Sequence, residues 1–146
     1  MNKWDSRFID LAKYVSKWSK DPSTGIGCVI ADAENRVVTV GFNGLPHFME
    51  DHPDILENRE NKYATVLHAE YNALDSATFE AYKAPFRIYI TRIPCNECVL
   101  LMCYAKHKIV EIHYVEDAEF ESRWVMCEHS KQSLSDKNIK LIKHKV

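Results

Sequence analysis

The chain has 146 residues, 46% of them apolar and 27% charged, with a formal net charge of −2 at pH 7. These proportions fit an ordinary globular protein able to bury a core in a single domain, residues 1–146. The mildly acidic balance lacks the basic footprint of a protein built for polymeric nucleic acid. Neither a run of about 18 apolar residues nor a charged-then-apolar leader is present, so the expectation is a cytoplasmic protein without a membrane span.

In chain order, Asp5 to Lys20 carries Phe8, Leu11, Ala12, Val15 and Trp18 at helical spacing, a stripe that reads as core. Asp21-Pro22-Ser23-Thr24-Gly25 ends that helix. Gly27 to Ala31 and Val37 to Phe42 are short apolar runs joined by the polar turn Asp32–Arg36, which predicts an antiparallel hairpin. Asn43-Gly44-Leu45-Pro46 breaks the second strand, and the polar stretch from there to about Tyr63 has no clear period. It reads as one long loop, functional or partly disordered. A helix begins around His68, with Ala73, Leu74 and Ala77 as its apolar face. Arg87 to Thr91 is a third strand, Cys95 to Ala105 an apolar helix, and Ile109 to Val115 a fourth strand. A helical segment over Glu119 to Ser135 and a last strand over Ile139 to Lys143 complete the order. Strands alternating with helices predict parallel neighbours joined by right-handed crossovers. The fold class is therefore α/β, a three-layer α/β/α domain with a mixed five-stranded sheet, whose ligands bind beyond the strand ends.

The chemistry is concentrated in His68-Ala69-Glu70 and Pro94-Cys95-Asn96-Glu97-Cys98. One histidine and two cysteines fill three positions of a tetrahedral zinc site and leave the fourth open for water, as in catalytic centres. Water on zinc deprotonates near neutral pH, and Glu70, which is not needed as a ligand, can carry its protons. Proline suits the first position of a helix, so Pro94 places Cys95 and Cys98 one turn apart at a helix N-terminus, where the dipole favours thiolates. Residues two apart in a helix point roughly 200° apart, so His68 and Glu70 converge only at a helix end. The bland alternatives are a structural zinc site with Glu70 as a surface charge, and a redox Cys-x-x-Cys, which leaves His-x-Glu unexplained. Cys28, Cys103 and Cys127 read as buried free thiols.

His-x-Glu with Pro-Cys-x-x-Cys is the signature of zinc-dependent nucleobase deaminases. Together with Ser19-Lys20-Asp21-Pro22-Ser23-Thr24, Gly41-Phe42-Asn43-Gly44-Leu45-Pro46 and Asn72-Ala73-Leu74, in that family's order, the chain resembles the deoxycytidylate (dCMP) deaminases, including phage-encoded members. A phage origin would make the compartment the host cytoplasm. The resemblance runs from about Phe8 to Val115; the tail after Glu116 is less diagnostic. It implies the cytidine-deaminase-like fold and hydrolysis of dCMP to dUMP and ammonia, feeding thymidylate synthesis. It further implies that His68, Cys95 and Cys98 hold zinc and that Glu70 shuttles protons while water attacks C4. The backbone of Ala69 would lie against the base.

For substrate contacts, Asn43 reads either as a sugar or base ligand, offering donor and acceptor together, or as a left-handed turn residue. Lys20, Thr24 and Arg92 are candidate phosphate donors. The resemblance also implies a homohexamer activated by dCTP with magnesium and inhibited by dTTP, through a second nucleotide site near the Gly41–Pro46 loop. Some relatives hold a second zinc; His47 and His52 do not complete that pattern, so one zinc per chain is expected. Rival readings are a zinc deaminase of another small base or nucleoside, a non-catalytic zinc module, and a polynucleotide deaminase, which the charge balance disfavours.

Overall fold

Helix α1 (Lys3–Ser16) starts where Asn2 caps it, its side-chain oxygen accepting from the Asp5 N–H at 2.8 Å. The structure, a computed structural model, describes residues 2–46, 48–50 and 53–146. Strands β1 (Gly27–Ala31) and β2 (Val37–Phe42) form the expected hairpin, and short helices α2 (Pro53–Glu57) and α3 (Arg59–Thr65) follow. Helix α4 (Ala69–Ser76) and a single 3-10 turn lead to β3 (Phe86–Ile90), then to α5 (Asn96–Tyr104) and β4 (Ile109–Val115). Helices α6 (Ala118–Glu121) and α7 (Glu128–Asp136) precede the last strand, β5 (Lys140–His144).

The five strands lie in the order β2-β1-β3-β4-β5. The β1 strand is antiparallel to both β2 and β3, whereas β3, β4 and β5 run parallel, so the sheet is mixed as the sequence predicts. Successive side chains of a strand face opposite ways, and this parity divides the interior. Cys28, Ile30, Ile88, Ile90 and Ile112 pack under α4, α5 and α7, through Ala73, Val99, Met102 and Leu134. Val29, Ala31, Tyr89 and Val115 take the other face, against Phe8, Ile9 and Ala12 of α1. Two helical layers on one sheet give the three-layer arrangement.

Four local expectations need correction. Helix α1 ends at Ser16, short of Lys20: Lys17 and Trp18 donate to Tyr14 and Val15, tightening the last turn, and Ser19 Oγ then reaches the Asn43 carbonyl at 2.8 Å. Trp18 is consequently half exposed rather than core. The stretch read as one long loop contains α2 and α3, the latter capped by Asn58, which accepts from the Asn61 N–H at 3.1 Å. The helix expected over Glu119 to Ser135 is interrupted between α6 and α7, where the Cys127 N–H and the Ser130 hydroxyl both donate to Asn96 Oδ1 at 3.0 and 2.9 Å. Cys28 and Cys103 are buried free thiols, but Cys127 is exposed.

The β1–β2 turn depends on one carboxylate. Asp32, fully buried, accepts from the N–H groups of Glu34, Arg36 and Lys83 and from the Arg36 guanidinium, between 2.8 and 3.2 Å. Asn35 completes the turn at φ 62, a left-handed conformation that asparagine tolerates. Burial pushes the Asp32 carboxyl up, but these donors together hold it below the usual carboxylate range. A depressed folded pKa stabilises the native state above the unfolded value, and that contribution disappears as pH falls through the folded value. Asp32→Ala is therefore expected to cost about 2–3 kcal/mol near neutral pH, because it orphans several buried donors. In urea titrations the gap from wild type is expected to close below about pH 4, the unfolded carboxylate range.

Candidate active site

His68 is the N-cap of α4, with extended backbone at φ −74 and ψ 154, and Glu70 sits in the first turn of that helix. This helix-end geometry lets the two side chains face one cleft. The helix is fastened to the end of β2. Gly44 and Leu67 exchange backbone hydrogen bonds at 3.1 and 2.8 Å, and Asn72 Nδ2 donates to the Phe42 carbonyl at 2.8 Å. A Cβ on Gly41 would stand 2.5 Å from both the Ala69 oxygen and the Ala73 nitrogen, so only glycine admits α4 this close.

Cys95 is the N-cap of α5, and its sulfur accepts from the Cys98 N–H at 3.5 Å. Pro94 thus precedes the cap instead of occupying the first helical position, while the two cysteines still flank the helix N-terminus. His68 Nδ1 lies 3.2 Å from Cys98 Sγ and 3.5 Å from Cys95 Sγ. Among the described residues these three form the one cluster suited to a metal, all ligand atoms lying within 4.8 Å of one another. Tetrahedral zinc with bonds of about 2.0–2.3 Å separates its ligands by roughly 3.5–3.8 Å, so the donor set fits the ion. His47 and His52 lie outside the described residues.

The electrostatics agree. The hydrogen bond from the Cys98 thiol, with help from His68, pulls the Cys95 thiol down to about 4 and leaves Cys98 pushed up in exchange. The Cys95 interaction correspondingly raises His68. Glu70 is buried, and burial raises its carboxyl although its own backbone N–H and Cys98 pull the other way. A buried carboxyl that holds its proton more firmly than an ordinary surface glutamate is suited to proton transfer.

The cleft containing these groups has a volume of ≈ 780 Å³. Of the residues singled out from sequence, Thr24, Asn43 and Arg92 line it with His68, Glu70 and Cys95. Asn43 is buried and is not left-handed: its amide accepts from the Ile26 N–H at 2.7 Å and donates to the Thr24 carbonyl at 2.9 Å. Ala69 is buried at the start of α4. Lys20 instead lines a neighbouring cleft of ≈ 600 Å³ with Phe42, Leu45, Pro46 and Tyr71.

Sequence reasoning missed Arg59, Lys62, Phe120, Arg123 and Trp124, all on the walls of the first cleft. Lys62 Nζ donates to Asp21 Oδ1 at 3.3 Å and to Ser23 Oγ at 2.6 Å, tying α3 to the Asp21–Thr24 loop. The readable signal was Asn58, a helix cap placed just before Arg59 and Lys62, which share a face three residues apart. The tail after Glu116 offered no comparable cue.

A family model described as the cytidine and deoxycytidylate deaminase zinc-binding region matches residues 2–114. The chain belongs to this family. It is a deaminase by that membership. An uncharacterized deaminase in the luxG 3′ region of Aliivibrio fischeri is 41% identical over 125 residues, covering 85% of this chain and 81% of that one. The deoxycytidylate deaminase of Homo sapiens is 33% identical over 127 residues, covering 82% and 68% respectively. The dCMP deaminase of cyanophage S-TIM5 superposes with a TM-score of 0.71 at 18% identity, covering 99% of this chain and 100% of that one, and confirms the fold. That phage protein has also been solved in complex with dCMP and dUMP. No helix among the described residues is long and apolar enough to cross a membrane.

Exposure predicts the order of thiol reactivity. In zinc-loaded protein a thiol reagent is expected to modify Cys127 first, and chelation is expected to add half-exposed Cys95. Peptide mapping after brief alkylation checks this, and early labelling of Cys28 or Cys103 would contradict the packing.

Proposed function

We propose that the chain hydrolyses dCMP to dUMP and ammonia, supplying dUMP for thymidylate synthesis. The observation that carries this substrate is the company kept by the metal cluster: Arg59, Lys62, Arg92 and Arg123 line the same cleft as His68, Glu70 and Cys95. A nucleoside or free base needs no such group of cations, whereas a 5′-phosphate recruits them and nearby hydroxyl and amide donors. Thr24 brings a hydroxyl to the same cleft, whereas the Ser23 N–H and hydroxyl and the Thr24 N–H are spent on Asp21. The relatives named deoxycytidylate deaminase support the same choice.

His68 Nδ1, Cys95 Sγ and Cys98 Sγ would hold the zinc, which when bound supplies the Lewis acidity that makes water nucleophilic at neutral pH. The chain's own groups do the rest. Glu70 accepts a proton from the attacking water and delivers it to N3 of the cytosine as the C4–O bond forms. It then passes the second water proton to the amino group, the C4–N bond breaks, and ammonia leaves. The cleft wall near Ala69 and Asn43 would orient base and sugar. Asn43 retains a second amide hydrogen beyond the one given to Thr24. Lys20, in the neighbouring cleft, is better placed for an effector than for the substrate phosphate.

That second cleft, bordered by Phe42, Gly44, Leu45 and Pro46, supports the further reading of dCTP activation with magnesium and dTTP inhibition. Exposed Leu100, Leu101 and Tyr104 on α5 support a homo-oligomer, in keeping with the hexamer implied by resemblance.

The test is ammonia release by zinc-loaded protein on dCMP, CMP, deoxycytidine, cytidine, dCTP and guanine, each with and without dCTP and magnesium. Turnover is expected on dCMP. Glu70→Gln is expected to lower kcat by at least about 10²-fold, since it removes a general acid–base group. Because Glu70 is not a ligand, zinc content by atomic emission is expected to stay at one per chain. Turnover of another compound in place of dCMP would overturn the substrate, and zinc loss in Glu70→Gln would overturn its role.

A further inference from the structure

Arg92 lies just past the C-terminal end of β3, two residues before Pro94, and differs from the other cations of the cleft in how it is held. Its guanidinium carbon stands 3.8 Å from the centroid of the Phe120 ring, and Nη2 donates to Asp117 Oδ2 at 3.2 Å. Asp117 is itself fixed: its Oδ1 caps α6 by accepting from the Phe120 N–H at 3.0 Å, and its own N–H donates to Glu121 Oε2 at 2.7 Å. Phe120 in turn stacks on Trp124, with centroids 6.0 Å apart and planes at 17°. The cap and the body of one short helix thus give the guanidinium a carboxylate and an aromatic ring. A guanidinium has five N–H donors, and Asp117 takes one of them here.

The other cations are less suited to fix a ligand. Lys62 spends donors on Asp21 and Ser23, and the Arg123 side chain is 69% exposed. Arg59 is also exposed.

We propose that Arg92, held between Phe120 and Asp117, is the determinant that selects a 5′-phosphorylated substrate, and that Phe120 is its positioning residue. The proposal rests on the nucleotide reading above and adds to it the α6 segment, which lies outside the matched 2–114 region. A lysine at position 92 keeps the charge but loses both the stacking plane and the fork that engages phosphate through two donors. Phe120→Leu removes the platform without altering any charge.

The experiment is steady-state kinetics of zinc-loaded wild type, Phe120→Leu, Arg92→Lys and Arg92→Leu on dCMP and on deoxycytidine, with calorimetry of dUMP binding. All three variants are expected to raise KM for dCMP and Kd for dUMP about ten-fold, the loss of a partly buried cation–π contact and its aligned donors. The kcat for dCMP and kcat/KM for deoxycytidine are expected to hold within about two-fold, which a general loosening of the cleft would not allow. Unchanged dCMP affinity in Phe120→Leu and Arg92→Lys, with wild type still preferring dCMP, would overturn the clamp alone. A wild type with no preference for dCMP over deoxycytidine would overturn the nucleotide reading and the clamp with it.

Discussion

Everything at the site depends on how closely α4 lies on the end of β2. The His68, Cys95 and Cys98 cluster draws its atoms from two helix starts, and a helix free to slide cannot hold them together. Gly41 removes the side chain that would hold α4 away, and the Gly44–Leu67 pair together with Asn72 pins its first turn. His68 then emerges from the N-cap toward Cys95, the N-cap of the second helix. Two residues that cannot face each other inside a regular helix converge because one of them stands outside it.

The same placement sets the chemistry of the ligands and of Glu70 in opposite senses. Two helix N-termini point their positive ends at the cluster, which favours thiolate at Cys95 and electron-pair donation to a cation. Glu70, two residues on in the first turn of α4 and buried, is raised chiefly by desolvation, so its proton is held more firmly. A single site therefore sets a thiol inclined to lose its proton, as a metal-binding sulfur must, beside a carboxyl inclined to hold one.

The part of this design that was legible in the sequence is the part where chemistry dictates residue type and spacing together. The convergence of His68, Glu70, Cys95 and Cys98 could be read because a tetrahedral donor set admits few residue types and helix ends impose their intervals. The sheet was legible through short apolar runs such as Gly27–Ala31, a strand buried along its whole length. The break between α6 and α7 was not, since it is caused by Asn96, some thirty residues away, capturing the Cys127 N–H and Ser130. Arg59 and Lys62 were hidden for a different reason: a five- or seven-residue helix shows no period, and a cation does not reveal from sequence which way it will face. Asn43 was legible as special but ambiguous, and its two backbone bonds make it a tie between β2 and the Thr24–Ile26 segment.

The cationic half of the cleft follows a rule of its own. Lys62 is paired with Asp21 and Arg92 with Asp117, and each carboxylate also accepts from backbone N–H groups of its own loop or helix start. Asp21 and Asp117 both lie below the usual carboxylate range: burial opposes this at Asp21, and backbone donation leads it at Asp117. Their charges therefore persist through the physiological range. A cation anchored in this way does not have to be ordered when a ligand arrives, and the entropy of fixing a long side chain is removed from the cost of binding. The partner carboxylate also weakens the raw field, so attraction over distance is traded for orientation at contact. A wall built on those terms favours an anion that accepts several aligned hydrogen bonds, as a phosphate does, over one that offers charge alone.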